Sequence, residues 1–252
     1  MASQPCLSES QLEALRRLDT CAVEDAIETF DLRARNTGFA DSSIRCMFED
    51  FPPMVGYAAT ARLRSGDRPM SGRSFHDRTE WWSSILDVPA PRIVVAEDED
   101  HPPGLGAFVG EVHANILQAF GCAALVTNGA LRDVPAVRDT GLQVFAGNIS
   151  VSHAYAHISS FGQPVEVGRL KVYPGDLLLG DQHGVVSIPL EVAARVFPVA
   201  EGILRRRQCV IEKCRRADFG LHTLQEAERE VKTMETQEHE RIQNIAGKRE
   251  GS

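Results

Sequence analysis

No stretch of this 252-residue chain approaches the roughly 18 unbroken apolar residues that a membrane-spanning helix needs. Met1–Ser10 also lacks a basic start followed by an apolar run, so neither secretion nor membrane insertion is expected and the chain reads as cytoplasmic. Lysine is scarce. Of Lys171, Lys213, Lys232 and Lys248, three fall in the helical tail and Lys171 in an alternating strand, which leaves no candidate for a buried Schiff-base amine. The six cysteines form no CxxC pair, which argues against a thiolate zinc site. In a chain too long to need covalent staples they are expected to be reduced thiols. No GxSxG motif supports a hydrolytic triad, and no internal repeat or low-complexity tract stands out.

What remains is ordinary globular composition, 43% hydrophobic and 25% charged, enough for one large domain or two small ones. The net charge of −8 is unevenly placed: residues 201–252 carry +1 and residues 1–200 carry −9. An acidic body without a basic face is not expected to bind nucleic acid.

Leu12, Leu15, Leu18, Val23, Ala26 and Ile27 give a broken apolar stripe that predicts two helices within Ser10–Phe30, with Asp19 or Thr20 capping the second. Met54–Leu63 reads as a strand, Asp77–Leu86 as a short helix containing Trp81-Trp82, and Arg92–Ala96 as a buried strand. After an acidic loop, Glu97–Asp100, and a glycine-bearing stretch, Gly104–Gly110, a helix over Glu111–Phe120 is expected to bury Val112, Ile116, Leu117 and Phe120. Ala123–Thr127 is the next strand, Asn128-Gly129 a turn, Asp133 the cap of a short helix, and Gln143–Ala146 a third strand. That alternation implies a parallel sheet. From Pro164 to Ile188 short strands and turns predict antiparallel pairing, and from Leu190 onward the chain reads as helical.

Two loops could carry chemistry. Gly104–Glu111 lies between a strand and a helix, where glycines let the backbone approach a ligand and free N–H groups favour an anion. Its G-x-G-x-x-x-G spacing misses the dinucleotide fingerprint, and the acids before it would repel a pyrophosphate, so a smaller anion fits better. In Asn128–Asp133, Arg132 can grip a carboxylate bidentately and Asp133 can offer a hard oxygen to Mg²⁺ or Mn²⁺. The plainer alternative is that Asp133 caps its helix and Arg132 makes a surface ion pair. Arg138-Asp139, the same dipeptide inside a helix, reads as structural. Of the histidines, His113 lies beside these loops, His153 and His157 are spaced i, i+4, and His183 sits in a turn. His76 with Trp81-Trp82 suggests a lid or an interface.

Gly110-Glu111, Gly121, Asn128–Val134, Gly141, Val144–Ala146, Val165–Gly168, Pro174–Asp176 and Gly180–Val186 together resemble the RraA-like family, which includes class II 4-hydroxy-4-methyl-2-oxoglutarate / 4-carboxy-4-hydroxy-2-oxoadipate aldolases. The resemblance spans about residues 10–210. It implies a swivelling β/β/α-type α/β domain over residues 1–200, followed by a helical extension over 201–252, peripheral or between subunits. It also implies trimers or hexamers with interfacial active sites. Carried over residue by residue, Asp133 would bind Mg²⁺ or Mn²⁺ and Arg132 would contact a 2-oxo acid. Gly110-Glu111-Val112-His113 would supply backbone donors and an outer-shell carboxylate. Ala136 stands where the aldolase pattern tends to carry an acid.

Cleaving a 4-hydroxy-2-oxo acid leaves a pyruvate enolate, whose charge a metal and an arginine can both stabilise. In the expected arrangement a water near Glu111 takes the 4-hydroxyl proton, and oxaloacetate decarboxylation would pass through the same enolate. The rival expectation is a non-catalytic RraA-like regulator of the ribonuclease-inhibitor type, its acidic body mimicking RNA to a basic partner.

Overall fold

The computed structural model describes residues 6–69 and 79–247, with side chains up to residue 237. Two compact units divide the chain, Met1–Val196 and Phe197–Ser252. The first opens with α1 (Glu9–Arg16), started by a capping box between Ser8 and Gln11, and α2 (Thr20–Glu28), whose first turn is held by the Asp19 carboxylate accepting from Ala22 N–H. Their buried faces, Leu12 and Leu15 on one and Val23, Ala26 and Ile27 on the other, are apolar positions that the periodicity singles out, and Ala22 is buried with them.

The main sheet contains β1 (Arg45–Cys46), β2 (Met54–Arg64), β3 (Arg92–Asp98), β5 (Cys122–Leu131), β6 (Gln143–Ile149), β10 (Leu177–Asp181) and β11 (Gly184–Ile188), in the order β1-β6-β5-β3-β2-β10-β11. β4 (Ala107–Val109) joins it on β5, and β7 (His157–Phe161) on β2. The pairs β2·β3, β3·β5 and β5·β6 are parallel, while β2·β10 and β10·β11 are antiparallel, so the two halves follow the expected change of texture.

Side-chain alternation splits the core across the sheet. Val94, Leu125 and Val144 face α3 (Thr79–Leu86), α4 (Glu111–Ala119) and α5 (Val134–Asp139), where Trp81, Ile85, Leu117 and Val137 meet them. Ile93, Val95, Val126 and Phe145 face the hairpin of β8 (Val165–Val167) and β9 (Leu170–Val172). Helices on one face and a β-hairpin on the other make the α/β layering expected of the first unit.

Several local expectations are corrected. Glu97 and Asp98 do not open a loop but finish β3. Asn128-Gly129 does not turn the chain: β5 runs through it to Leu131. The Asn128 side chain holds that continuation, its Oδ1 accepting from Asp98 N–H at 2.7 Å and its Nδ2 donating to Asp98 C=O at 3.0 Å. On α4 the buried residues are His113, Ala114 and Leu117, while Val112 is 65% exposed, because the helix turns the 113/114/117 stripe and not the 112/116 stripe to the sheet. Trp81 is no lid. It is fully buried, with its ring 6.0 Å from Phe161 and 6.2 Å from Trp82. His76 lies outside the described residues.

The second unit is built from the greater part of α6 (Ala193–Cys214), which contains Pro198, and from α7 (Leu221–Gly247). Lys213 pairs with Glu230 at 2.7 Å and Arg206 with Glu235 at 3.6 Å, joining the two helices beside the buried Thr223 and Ala227. Among the described residues, no helix is long and apolar enough to cross a membrane.

Candidate active site

Beyond the end of β3, β4 pairs in parallel with the last residues of β5, Ala107 with Ala130 and Val109 with Leu131. Two strand-to-helix turns therefore leave the sheet side by side: Gly110 leads into α4, and Arg132-Asp133 into α5. Arg132 N–H donates to Val109 C=O at 2.9 Å and locks one turn to the other.

Asp133 occupies the N-cap position of α5 with φ 54° and ψ 39°, a left-handed conformation that aspartate tolerates better than most side chains. In that conformation its carboxylate makes no capping bond to its own helix. It turns toward the neighbouring turn, where Oδ2 lies 3.4 Å from Glu111 N. Arg132 Nε sits 3.2 Å from both carboxylate oxygens. The simple capping role considered for Asp133 is thus absent, although the ion pair with Arg132 is present.

Gly110 makes this approach possible. A Cβ there would stand 2.7 Å from Asp133 Oδ2 and 3.0 Å from Arg132 Cγ. α4 consequently starts without a side-chain cap, and the first N–H groups of a helix have no intrahelical partner. Glu111 and Val112 are exposed in that first turn. His113 differs from the expectation: its side chain is buried, Nδ1 lies 3.1 Å from Phe108 C=O, and its ring meets Phe108 and Trp82 edge-on. Only its backbone belongs to the helix start.

The floor behind the two turns is braced by Asp98, a buried carboxylate that accepts from Gly104 N–H at 2.7 Å and Asp100 N–H at 3.1 Å. Burial pushes its carboxyl above the ordinary value, against the pull of those donors. The remaining acids of the run are also engaged, Glu97 with Arg62, Glu99 with Arg64, and Asp100 with Ser65 and Gly66. Beside Arg132, Leu105, Ile149 and Val151 form an apolar rim, with Val151 93% exposed. Nothing in the sequence pattern distinguished that rim from core. Ile149 ends β6 opposite Leu131, the residue before Arg132, and β1 pairs with β6 only at Phe145 and Ala146.

Elsewhere the histidines disperse. His153 Nδ1 lies 3.1 Å from Ala107 C=O and His157 begins β7, so the i, i+4 pair is not on a helix. His183 is held against Asp181 in the β10–β11 turn. Arg138 pairs with Asp50 and stacks over Phe48 and Phe51, a structural role as expected. None of the six cysteines, all among the described residues, is in a disulfide, and burial pushes the Cys122 thiol up to about 12. Among the described residues, no group of three or more His, Cys, Asp or Glu side chains could hold a metal. A single half-exposed carboxylate of Asp133 fits Mg²⁺ or Mn²⁺ kept mostly in water and substrate oxygens, and does not fit zinc.

The family model for RraA-like proteins, described as Aldolase/RraA, matches residues 20–187, a range that contains both turns. The chain belongs to the RraA-like family. A Halalkalibacterium halodurans protein provisionally named 4-hydroxy-4-methyl-2-oxoglutarate aldolase is 26% identical over 137 residues, 54% of this chain and 60% of that protein. The chain thus spans about three fifths of the length of that curated relative. Among solved structures, an uncharacterised Pseudomonas syringae pv. tomato protein superposes with a TM-score of 0.70 at 20% identity, over 91% of this chain and 97% of that one. Streptomyces coelicolor RraAS2, described as an unusual member of the RNase ES inhibitor RraA family, gives 0.64 at 19% identity, over 81% and 97%. Both likenesses concern the fold alone, and the second is to a protein of RraA fold.

Proposed function

We propose that this RraA-like protein is a divalent-metal-dependent lyase that cleaves a 4-hydroxy-2-oxo acid to pyruvate and decarboxylates oxaloacetate. The observation that carries this reading is the Asp133 carboxylate, held in a left-handed turn and directed at Gly110-Glu111 instead of at its own helix. Non-glycine residues held in a left-handed backbone conformation cluster at functional sites. The aldolase name of the Halalkalibacterium relative supports the reaction class.

Asp133 would hold Mg²⁺ or Mn²⁺, which when bound supplies Lewis-acid polarisation of the substrate's 2-oxo group. Arg132, beside it, binds the 1-carboxylate and faces the negative charge that grows on the 2-oxo oxygen as the C3–C4 bond breaks. A water near the Glu111 carboxylate takes the 4-hydroxyl proton as C4 becomes a carbonyl, and the electron pair of the broken bond passes into the enolate. Protonation at C3 then gives pyruvate. The backbone of Gly110, Glu111, Val112 and His113 presents N–H groups to the substrate's carboxylate oxygens. The apolar rim of Leu105, Ile149 and Val151 beside the site supports a homo-oligomer, trimeric or hexameric, in which a neighbour closes the active site.

The deciding experiment is a panel of 2-oxo acids assayed for pyruvate with and without Mg²⁺ or Mn²⁺. Metal-dependent pyruvate release that disappears in Asp133→Ala is the expected result. A wild-type chain inert toward the whole panel with metal present would assign it to the binding proteins of the family.

A further inference from the structure

We propose that Arg132 competes with the divalent cation for the Asp133 carboxylate, so that its guanidinium must leave Asp133 before a cation can be held there and is thereby released to the anionic substrate. This rests on the metal-dependent reading above and adds an order of events to it. Arg132 Nε stands 3.2 Å from each oxygen of Asp133, and Glu111 N faces Oδ2 at 3.4 Å. Both oxygens are engaged from within the chain, and the stronger claim on them is a positive charge. A carboxylate shared between a guanidinium and a doubly charged cation would set two like charges within a few ångströms of each other, which is unfavourable even in water. One of the two has to give way.

Arg132 is built to do so. Its backbone N–H is fixed to Val109 C=O, but among the described residues its guanidinium has no hydrogen-bond partner besides Asp133. Other arginines of this unit are held several times over. Arg92 donates to the carbonyls of Leu86, Val88 and Phe120, and Arg138, which makes the same kind of ion pair with Asp50, also stacks over Phe48 and Phe51. Asp133 lacks this freedom, since its left-handed backbone directs the carboxylate into the clearance left by Gly110. Once off Asp133, the planar fork of Arg132 matches a substrate carboxylate. A carboxylate that draws Arg132 away then favours the cation, and by linkage the cation favours the carboxylate to the same degree. Arg132 thus weakens the hold on metal alone and couples it to substrate.

Mn²⁺ titration of the full chain without any oxo acid, with the free ion followed by electron paramagnetic resonance, tests this without turnover. Arg132→Gln and Arg132→Ala remove the charge and should bind Mn²⁺ about 5-fold or more tightly than wild type. Arg132→Lys keeps the charge and should stay closer to wild type than to Arg132→Gln, with circular dichroism showing each variant folded. If Mn²⁺ binding is lost in Asp133→Ala but is no tighter in Arg132→Gln and Arg132→Ala than in wild type, the proposal is overturned and the metal site stands. Mn²⁺ that Asp133→Ala binds as well as wild type does overturns the metal site itself, and the competition with it.

Discussion

Asp133 joins two demands that rarely coincide, a left-handed backbone and an anionic side chain aimed away from its own helix. Asparagine tolerates the same backbone, so Asp133→Asn should unfold at a temperature close to wild type while losing metal-dependent pyruvate release, and calorimetry beside a coupled pyruvate assay separates the two effects. Arg132→Ala removes the donor opposite the developing oxyanion and should lower kcat by about 100-fold or more. Gly110→Ala forces a Cβ to within 2.7 Å of Asp133 Oδ2, so the carboxylate must move; a cost of about 1–3 kcal/mol in urea unfolding and a fall in activity are expected together. The Arg-Asp pair was legible in the sequence because it follows a buried strand. The role of Gly110 as the clearance for Asp133 was not, since a missing side chain announces nothing about what fills its place.

At the scale of elements, the sequence spoke clearly where periodicity was strong. α1, α2, β2 and the alternation from β3 to β6 follow from apolar spacing alone. It misread the ends. Asn128-Gly129 has the composition of a turn, yet the Asn128 amide bridges Asp98 across strands, a contact 30 residues apart that no local rule sees, and β5 continues to Leu131 through an irregularity between Thr127 and Ala130. Asn128→Ala should cost about 1–3 kcal/mol, measured by urea unfolding, because both Asp98 backbone groups lose their partner. Asp98 adds a pH signature. Its folded-state carboxyl is raised, so between its unfolded value of about 3.9 and that raised value the folded chain holds more protons, and stability falls as pH rises through the window. The stability advantage of wild type over Asp98→Ala should therefore shrink from the acidic to the neutral side of it.

For the whole molecule, the acidic balance of charge resolves into local arrangements. The acidic run that ends β3 and continues to Asp100 is tied up by Arg62, Arg64 and the backbone of Ser65 and Gly66, so the net −8 says little about the field at Arg132. A metal held by one half-exposed carboxylate contributes little to folding. Chelation with EDTA should abolish pyruvate release yet move the unfolding temperature by less than about 2 °C, read by differential scanning calorimetry. The layered architecture was foreseeable from the order of elements, whereas the exposure of Leu105, Ile149 and Val151 was not, since apolar residues of the same kind fill the core.

The left-handed turn at Asp133 also bears on inheritance. Aspartate codons lie one base from those of asparagine and glycine, the two other residues most at ease in that backbone. A lineage could therefore silence the anionic group in one mutational step, keep both turns and the sheet beneath them, and later regain it by the reverse change. Reaction chemistry would then come and go on this scaffold faster than the scaffold itself could drift.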